Sequence, residues 1–567
     1  MTSRSQLAND PLTSSWAAGF RTALRGYARA QLPEAMVPAR FVVLPELPKL
    51  PNGKVDRNSL PEEKATEAAD TAYVAPRNSV EHQLARIWQD LLGLAKVSVE
   101  ASFFELGGDS LSVLQMAGQV REVYDVRLDL HRLFEDPTIA QLARMVSSQA
   151  DQSITGAGNP RGVSEEAMRA DAVLPEDIRP QPGARPAVSG NYRRILLTGG
   201  TGYTGAFLLR EFLDRSEATV NVLVRAADPA QAADRALANL AEFGLLQPGD
   251  ADRVIGVTGD TGRPYLGMTK PEYRRIAAEV ELIVHNAAIS SWLVPYDKIK
   301  PTNIFGALEV LRLACAEQVK AVHFVSSIGI YPGHRGERFW PEERLTEAEE
   351  VSGGYRQSKW VADNLMLTAR ERGVPTHVYR LGAIAGSQVT GACSPDTFIN
   401  HLLKGCIQLG AYLDYDLLLD LVPVDYCAKA IAHIALTGGE RPAVFNVPSY
   451  QAANMNDIFE LVVQQGYPLR RLTYQDWYHE LTQAIERGEE NELSVYLPLF
   501  GKAAPAEEVG YPGSRPVFGT DNLRAALADS DISCHPVDEE LFARYIDYFV
   551  STGYLPPPPA DADRSKS

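Results

Sequence analysis

Residues 195–205, Ile-Leu-Leu-Thr-Gly-Gly-Thr-Gly-Tyr-Thr-Gly, constrain this chain more than any other stretch. A short apolar run (Ile195, Leu196, Leu197) ends in glycines at 199, 202 and 205, and an apolar, helix-prone segment follows over 206–213. The order is strand, tight turn, helix start. In that context a glycine-rich turn seats a pyrophosphate on the backbone N–H groups of a helix N-terminus. Gly199, Thr201, Gly202, Tyr203 and Gly205 are the expected cofactor-binding residues of the turn.

Apolar runs at 194–197, 219–224, 254–257, 282–285, 321–326 and 376–380 alternate with helical patterns. That alternation predicts an α/β Rossmann-type, doubly wound parallel sheet over residues 192–555. Residues 387–555 are less regular and helix-rich, and are expected to contribute a smaller substrate lobe. The second strand ends in Val222-Leu-Val-Arg225, where an NAD site would place an acidic residue on the ribose. A guanidinium at Arg225 suits a 2′-phosphate instead, so the expected cofactor is NADPH, with Arg235 a second partner for the same group. Asp260, ending the third strand, is placed to meet the adenine amino group. His285-Asn286-Ala-Ala288, ending the fourth, is placed to run beside the cofactor, with Asn286 the binding residue.

The length of 567 residues calls for several domains. A net charge of −17 argues against nucleic-acid binding, which needs clustered Lys and Arg. The five cysteines are scattered without a CxxC pair, so neither a disulfide framework nor a metal site is expected. The N-terminus lacks a signal-peptide core and no apolar run approaches the ~20 residues that span a bilayer. The expectation is a cytoplasmic protein without a membrane partner.

Residues 1–65 hold Leu32-Pro-Glu-Ala-Met-Val-Pro38 and Asn52-Gly-Lys54-Val-Asp-Arg57. Asn-Gly is a turn signal, and Lys54 follows it on an exposed loop. The wording resembles the C-terminal end of the adenylation domains of nonribosomal peptide synthetases, in which the lysine matching Lys54 contacts the acyl-adenylate. The remaining several hundred residues of such a domain are absent here, so the chain is not expected to activate an amino acid by itself.

After an Ala-, Thr- and acid-rich stretch at 65–75, apolar residues recur at helical spacing (Val80, Leu84, Ile87, Trp88, Leu91). Further helices are expected over 111–123, with Leu111, Leu114 and Ala117 on one face, and over 139–146 behind Asp136-Pro-Thr138. Residues 76–148 read as a small helical bundle. Leu106-Gly-Gly-Asp-Ser110-Leu opens its second helix. By residue chemistry alone Ser110 or Asp109 is an N-cap. The wording resembles the attachment motif of peptidyl and acyl carrier proteins, a four-helix-bundle family. The resemblance implies that Ser110 bears a 4′-phosphopantetheine arm, installed by a phosphopantetheinyl transferase, with the acyl or peptidyl substrate held as a thioester. A helix N-terminus favours the attached phosphate. Residues 149–191 read as a linker whose second half, 171–180, packs on the domain that follows.

Two further pieces carry chemistry. Val325-Ser326-Ser327 ends the fifth strand, and Tyr355-Arg-Gln-Ser-Lys359 opens a helix. Tyr and Lys four residues apart share a helix face, and a nearby ammonium stabilises phenolate. Tyr355 then exchanges a proton with a carbonyl oxygen that Ser327 also bonds. With the glycine turn, this set resembles the extended short-chain dehydrogenase/reductase superfamily. More narrowly it is similar to the terminal thioester reductase domains of nonribosomal peptide synthetases and carboxylic acid reductases. Echoes are Asn221-Val-Leu-Val-Arg225, Tyr379-Arg-Leu-Gly-Ala-Ile-Ala-Gly386 and Leu421-Val-Pro-Val-Asp425-Tyr.

That resemblance implies reductive release of a thioester tethered on Ser110 and delivered by upstream synthetase modules. NADPH reduces it to an aldehyde, or further to an alcohol, with Ser327, Tyr355 and Lys359 catalytic and Lys359 also holding the ribose. A nucleotide-sugar epimerase or dehydratase shares the Ser/Tyr/Lys set, but the carrier motif argues against it. The intact triad argues against a non-catalytic carrier and docking module.

Overall fold

The computed structural model describes residues 74–103 with gaps, isolated residues from 106 to 120, residues 137–150, and residues 162–559 apart from 182, 184–189, 292–293, 332–337, 440, 488, 501–510 and 513–514. It divides into two compact units, residues 1–158 and 159–567.

In the first unit, α1 (Ser79–Leu92) buries Leu84, Ile87 and Trp88, three of the residues whose spacing predicts the helix. The Trp88 ring meets Phe103 edge-on at 4.8 Å, and its indole N–H points at the Met116 sulfur, 2.9 Å away. α2 (Ile139–Ala150) starts where Asp-Pro-Thr predicts, and the Thr138 hydroxyl accepts the N–H of Gln141 as an N-cap. Residues 112, 113, 116 and 120 between them are helical, with Val113, Met116 and Val120 buried. Ser110, Leu111, Leu114 and Ala117 lie outside the described residues, as do residues 1–65 with Lys54.

The second unit is built on a seven-stranded sheet. Its strands are β1 (Arg194–Thr198), β2 (Thr219–Val224), β3 (Val254–Thr258), β4 (Leu282–His285), β5 (Ala321–Ser327), β6 (Thr376–Leu381) and β7 (Val444–Val447). The order is β7-β6-β5-β4-β1-β2-β3, and every pairing is parallel. The order reverses between β1 and β4, which opens a crevice at their carboxyl ends. Each central strand is buried on both faces, so it reads as a continuous apolar run. One face packs on α3 (Glu165–Asp171), α6 (Lys270–Glu279), α7 (Gly306–Cys315) and α8 (Gly354–Glu371). The other packs on α4 (Tyr203–Arg215), α5 (Pro229–Glu242) and α10 (Val424–Leu436).

Two expectations need correction. The stretch read as a linker contains α3, whose Met168 enters the core of the sheet domain, while Leu174 and Ile178, in the half expected to pack on that domain, do so. Asp171 ion-pairs with Lys300 at 2.7 Å, and the Arg372 guanidinium donates to the Leu174 carbonyl at 2.9 Å. Met168, one buried apolar side chain in a seven-residue polar helix, carries too little periodicity to announce α3. The region from 387 onward is likewise not one lobe. α9 (Phe398–Leu409), α11 (Met455–Gln464), α12 (Tyr474–Glu486) and α13 (Glu539–Ser551) share a separate core, whereas α10 and β7 return to the sheet. β7 is a four-residue run, Val-Phe-Asn-Val, too short to separate from its surroundings by pattern.

Three imidazoles lie buried beside the strands. His323 and His377 stack with centroids 4.7 Å apart, and His323 Nδ1 is 2.7 Å from the Tyr379 hydroxyl. Burial holds His377 down to about 4, His285 down to about 3 and His323 well below the usual range. A histidine protonated in the unfolded chain but neutral in the fold contributes nothing above pH 6.5. It destabilises progressively as pH falls from there toward the folded value, by up to about 1.4 kcal/mol per pH unit each. Melting temperatures followed by circular dichroism should therefore fall steeply from pH 6.5 to 4.5. A flat profile down to pH 5 would contradict neutral burial.

Candidate active site

The glycine turn is shaped by contacts too close for side chains. Gly199 has φ +74°, and a Cβ there would stand 2.7 Å from the Ala287 nitrogen. A Cβ on Gly205 would reach within 1.9 Å of the Gly199 carbonyl oxygen, so α4 presses backbone to backbone on the turn. Gly202 is the N-cap of α4 and supplies no capping side chain. The first-turn N–H groups of Tyr203, Thr204 and Gly205 therefore point into the crevice, where an anion satisfies them. Thr201 lies half-buried between the glycines. Asn239 of α5 donates from Nδ2 to the carbonyls of Gly200 (3.0 Å) and Gly202 (3.1 Å), bracing the turn from behind. Asn286 does so from the other side, donating to the Gly199 carbonyl at 3.2 Å. The bare helix N-terminus, with room only for glycine behind it, fits a dinucleotide pyrophosphate.

Tyr203 enters this site through its backbone alone. Its ring turns away to Phe207 and Phe243, and its hydroxyl lies 3.0 and 2.7 Å from the carbonyls of Ala385 and Ala392. The i,i+4 neighbour Phe207 and those two carbonyls draw the side chain into the core. Arg225 directly follows β2 with its side chain exposed, and the Arg235 guanidinium donates to the Arg225 carbonyl. Two exposed guanidinium groups therefore stand at one strand end. Asp260 is half-buried two residues past β3. Its N–H donates to the Leu266 carbonyl at 2.7 Å and its Oδ1 accepts from Gly262 at 3.0 Å.

At the far side of the crevice, Ser327 ends β5 and Tyr355 and Lys359 occupy the first turns of α8. The Ser327 hydroxyl accepts the N–H of Gly329 at 3.0 Å and is hydrogen-bonded to the Tyr355 phenol. Burial pushes that phenol up to about 12, and the Ser327 bond opposes it. Lys359 Nζ donates to the Val325 carbonyl at 2.7 Å and sits 4.9 Å from the Phe324 ring centroid. Burial drives its ammonium down to about 7, with the Asp363 carboxylate opposing.

Sequence reasoning passed over several residues that hold this set. Asn303 lies in a single π-helical turn, Pro301–Phe305, and donates to the Ser358 hydroxyl at 2.9 Å. Such a turn often marks a functional position, but nothing in the local sequence announces it. Arg356, beside Tyr355, donates to the carbonyls of Gly329 and Tyr331, fixing the start of α8 to the loop after β5.

Two protein families match the chain: "Phosphopantetheine attachment site" over residues 82–146 and "Male sterility protein", a nucleotide-binding family, over residues 197–431. Among solved structures, the terminal R domain of the myxalamid PKS-NRPS pathway superposes with a TM-score of 0.64 at 34% identity, covering 70% of this chain and 100% of that one. The chain belongs to the terminal reductase domains of nonribosomal peptide synthetases. This reductase also shares the fold of an archaeal thiolation-reductase di-domain (TM-score 0.60, 20% identity, 85% of this chain, 100% of that one). It is 33% identical to the isonitrile lipopeptide synthase of Streptomyces coeruleorubidus over 560 residues, 94% of this chain and 37% of that protein. The reductase spans between a tenth and about half the length of the curated relatives it matches. It thus joins a phosphopantetheine attachment domain to a nicotinamide-dinucleotide-binding domain. Among the described residues, no helix is long and apolar enough to cross a membrane.

The packing at Gly205 sets a direct test. Gly205→Ala should leave the sheet folded but weaken dinucleotide binding by tenfold or more, read by quenching of intrinsic fluorescence. Parent-like affinity would show that α4 does not set the turn.

Proposed function

We propose that this chain releases a carrier-bound acyl or peptidyl thioester by reduction to the aldehyde, with the thiol of the carrier arm as the other product. The observation that carries the reading is the arrangement at the end of β5. The Tyr355 phenol, bonded to Ser327, stands one helical turn from the Lys359 ammonium.

A bound nicotinamide would supply the hydride. The turn at Gly199–Gly205 would seat its pyrophosphate, and Asn286, Asp260 and Lys359 would bind the nucleoside parts. Ser327 and Tyr355 would both hydrogen-bond the thioester carbonyl oxygen. A phenol held at about 12 is fully protonated at neutral pH, so Tyr355 has a proton to give as negative charge develops on that oxygen. Lys359 beside it stabilises the phenolate left behind. One hydride and one proton convert a thioester to aldehyde and thiol, and a second pair would carry the aldehyde to an alcohol.

NADPH is the preferred cofactor in this reading, because Arg225 and Arg235 offer two guanidinium groups to a 2′-phosphate. Ser110 is the attachment point, a phosphopantetheinyl transferase installs the arm, and upstream synthetase modules load it. The lobe whose core is shared by α9, α11, α12 and α13 binds the acyl group.

Product analysis by mass spectrometry, on phosphopantetheinylated and acyl-loaded protein, tests the reading. Tyr355→Phe should lower aldehyde formation by ~10²–10⁴-fold; parent-like turnover would remove the phenol from the mechanism. Ser110→Ala should abolish reduction of the tethered substrate while sparing a soluble acyl-pantetheine. Arg225→Asp should cut the preference for NADPH over NADH by at least tenfold, and an unchanged ratio would refute the assignment of that arginine.

A further inference from the structure

Behind the Ser327–Tyr355–Lys359 set lies a closed group of charged and polar side chains. Asp363 follows Lys359 by one turn of α8, and Arg380 stands on β6; both side chains are 0% exposed. The guanidinium grips the carboxylate with two bonds, Nε to Oδ2 at 3.0 Å and Nη2 to Oδ1 at 2.8 Å. The Ser326 hydroxyl, next to Ser327, donates to the same Oδ2 at 3.0 Å. Arg380 Nη1 donates to the Tyr331 hydroxyl at 2.6 Å and to the Glu343 carbonyl at 2.9 Å, and Tyr331 donates to Asn446 Oδ1 at 2.7 Å.

A buried ion pair of this kind adds little net stability, because desolvation offsets attraction, and an apolar pair of equal volume often serves as well. Its placement is therefore informative. It joins β5, β6, β7 and α8 directly behind the reacting groups. The surroundings of Lys359 sharpen the point. On β4, His285 presents a neutral imidazole whose ring lies tilted against that of Phe324, centroids 5.6 Å apart. Its Nδ1 is 2.8 Å from the Thr198 hydroxyl, and its buried Nε2 has no partner. On β5, Lys359 meets the Phe324 ring and the Val325 carbonyl. Tyr355 on α8 is an uncharged phenol. Among the described residues, Asp363 is the carboxylate that opposes loss of the charge on the ammonium.

We propose that Asp363, gripped by Arg380 and Ser326, is a positioning residue that keeps Lys359 protonated and aligned beneath Tyr355. It touches neither thioester nor cofactor and acts through Lys359. The inference rests on the reductive reading above. Burial alone drives Lys359 toward neutrality, and the Asp363 carboxylate, one helical turn further along α8, opposes that loss of charge.

The full chain is assayed for NADPH-dependent reduction of a soluble acyl-pantetheine thioester across pH 6–10, with Tyr355→Phe in the same assay. Two paired variants remove the charges without orphaning one: Asp363→Asn with Arg380→Gln, and Asp363→Leu with Arg380→Met. In a folded paired variant the alkaline limb of kcat/KM should move to lower pH by about one unit or more, while Asp363→Glu keeps the parental limb. The same pair in a Lys359→Arg background should leave the limb unmoved, because a guanidinium needs no support to stay charged. An unshifted limb in a folded paired variant overturns the proposal. Loss of fold in both paired variants overturns it too, because the pair would then serve stability and not the dyad. An inactive parent removes the reductive reading and the inference with it; an active, Tyr355-dependent parent with an unmoved limb removes the inference alone.

Discussion

Two opposite charges share one site sealed from bulk solvent. Asp363 and Arg380 are both fully buried, and each satisfies the other through a two-bond fork. Removing either alone would leave an uncompensated charge in the core, which is among the costliest changes a fold can suffer. The pair therefore ties the rotation of α8 to the register of β5 against β6, in which Ser326 lies opposite Arg380 and Ser327 opposite Leu381. Once that register holds, Ser327, Tyr355 and Lys359 share one end of the sheet.

The glycine turn poses the complementary problem. There the chain must remove atoms rather than pair charges. Gly199 and Gly205 let α4 sit directly on the turn, and Asn239 and Asn286 satisfy the carbonyls that the turn leaves over. The outcome is a rigid anion seat at one end of the crevice and a proton donor at the other, both on backbone held by the same sheet. The lobe core of α9, α11, α12 and α13 joins this frame through residues just past β6, where the Tyr203 hydroxyl meets the Ala385 carbonyl and the Tyr545 hydroxyl meets that of Gly386.

The sequence and the structure agree where the physics is local. Six of the seven sheet strands are apolar runs bounded by turns, and their ends fall within one residue of expectation. Tyr355 and Lys359 share one face of α8 as the spacing implies, because a separation of four residues on a helix has one geometric outcome. Arg225 and Arg235 meet across ten residues for a similar reason, as a strand end facing the helix that follows it.

The chain's residues alone thus determined the kind of fold, the glycine turn before α4 and the Tyr355–Lys359 pair on α8, since each is a short pattern with its own steric or hydrogen-bonding logic. The tertiary structure decided the rest. It placed Asp363 against Arg380 across 17 residues, Asn303 against Ser358 across 55, and Tyr331 against Asn446 across 115. It also turned the Tyr203 ring into the core and returned β7 to the sheet edge. Those pairings depend on strand order and register, which bring distant segments together, and no spacing along the chain encodes them.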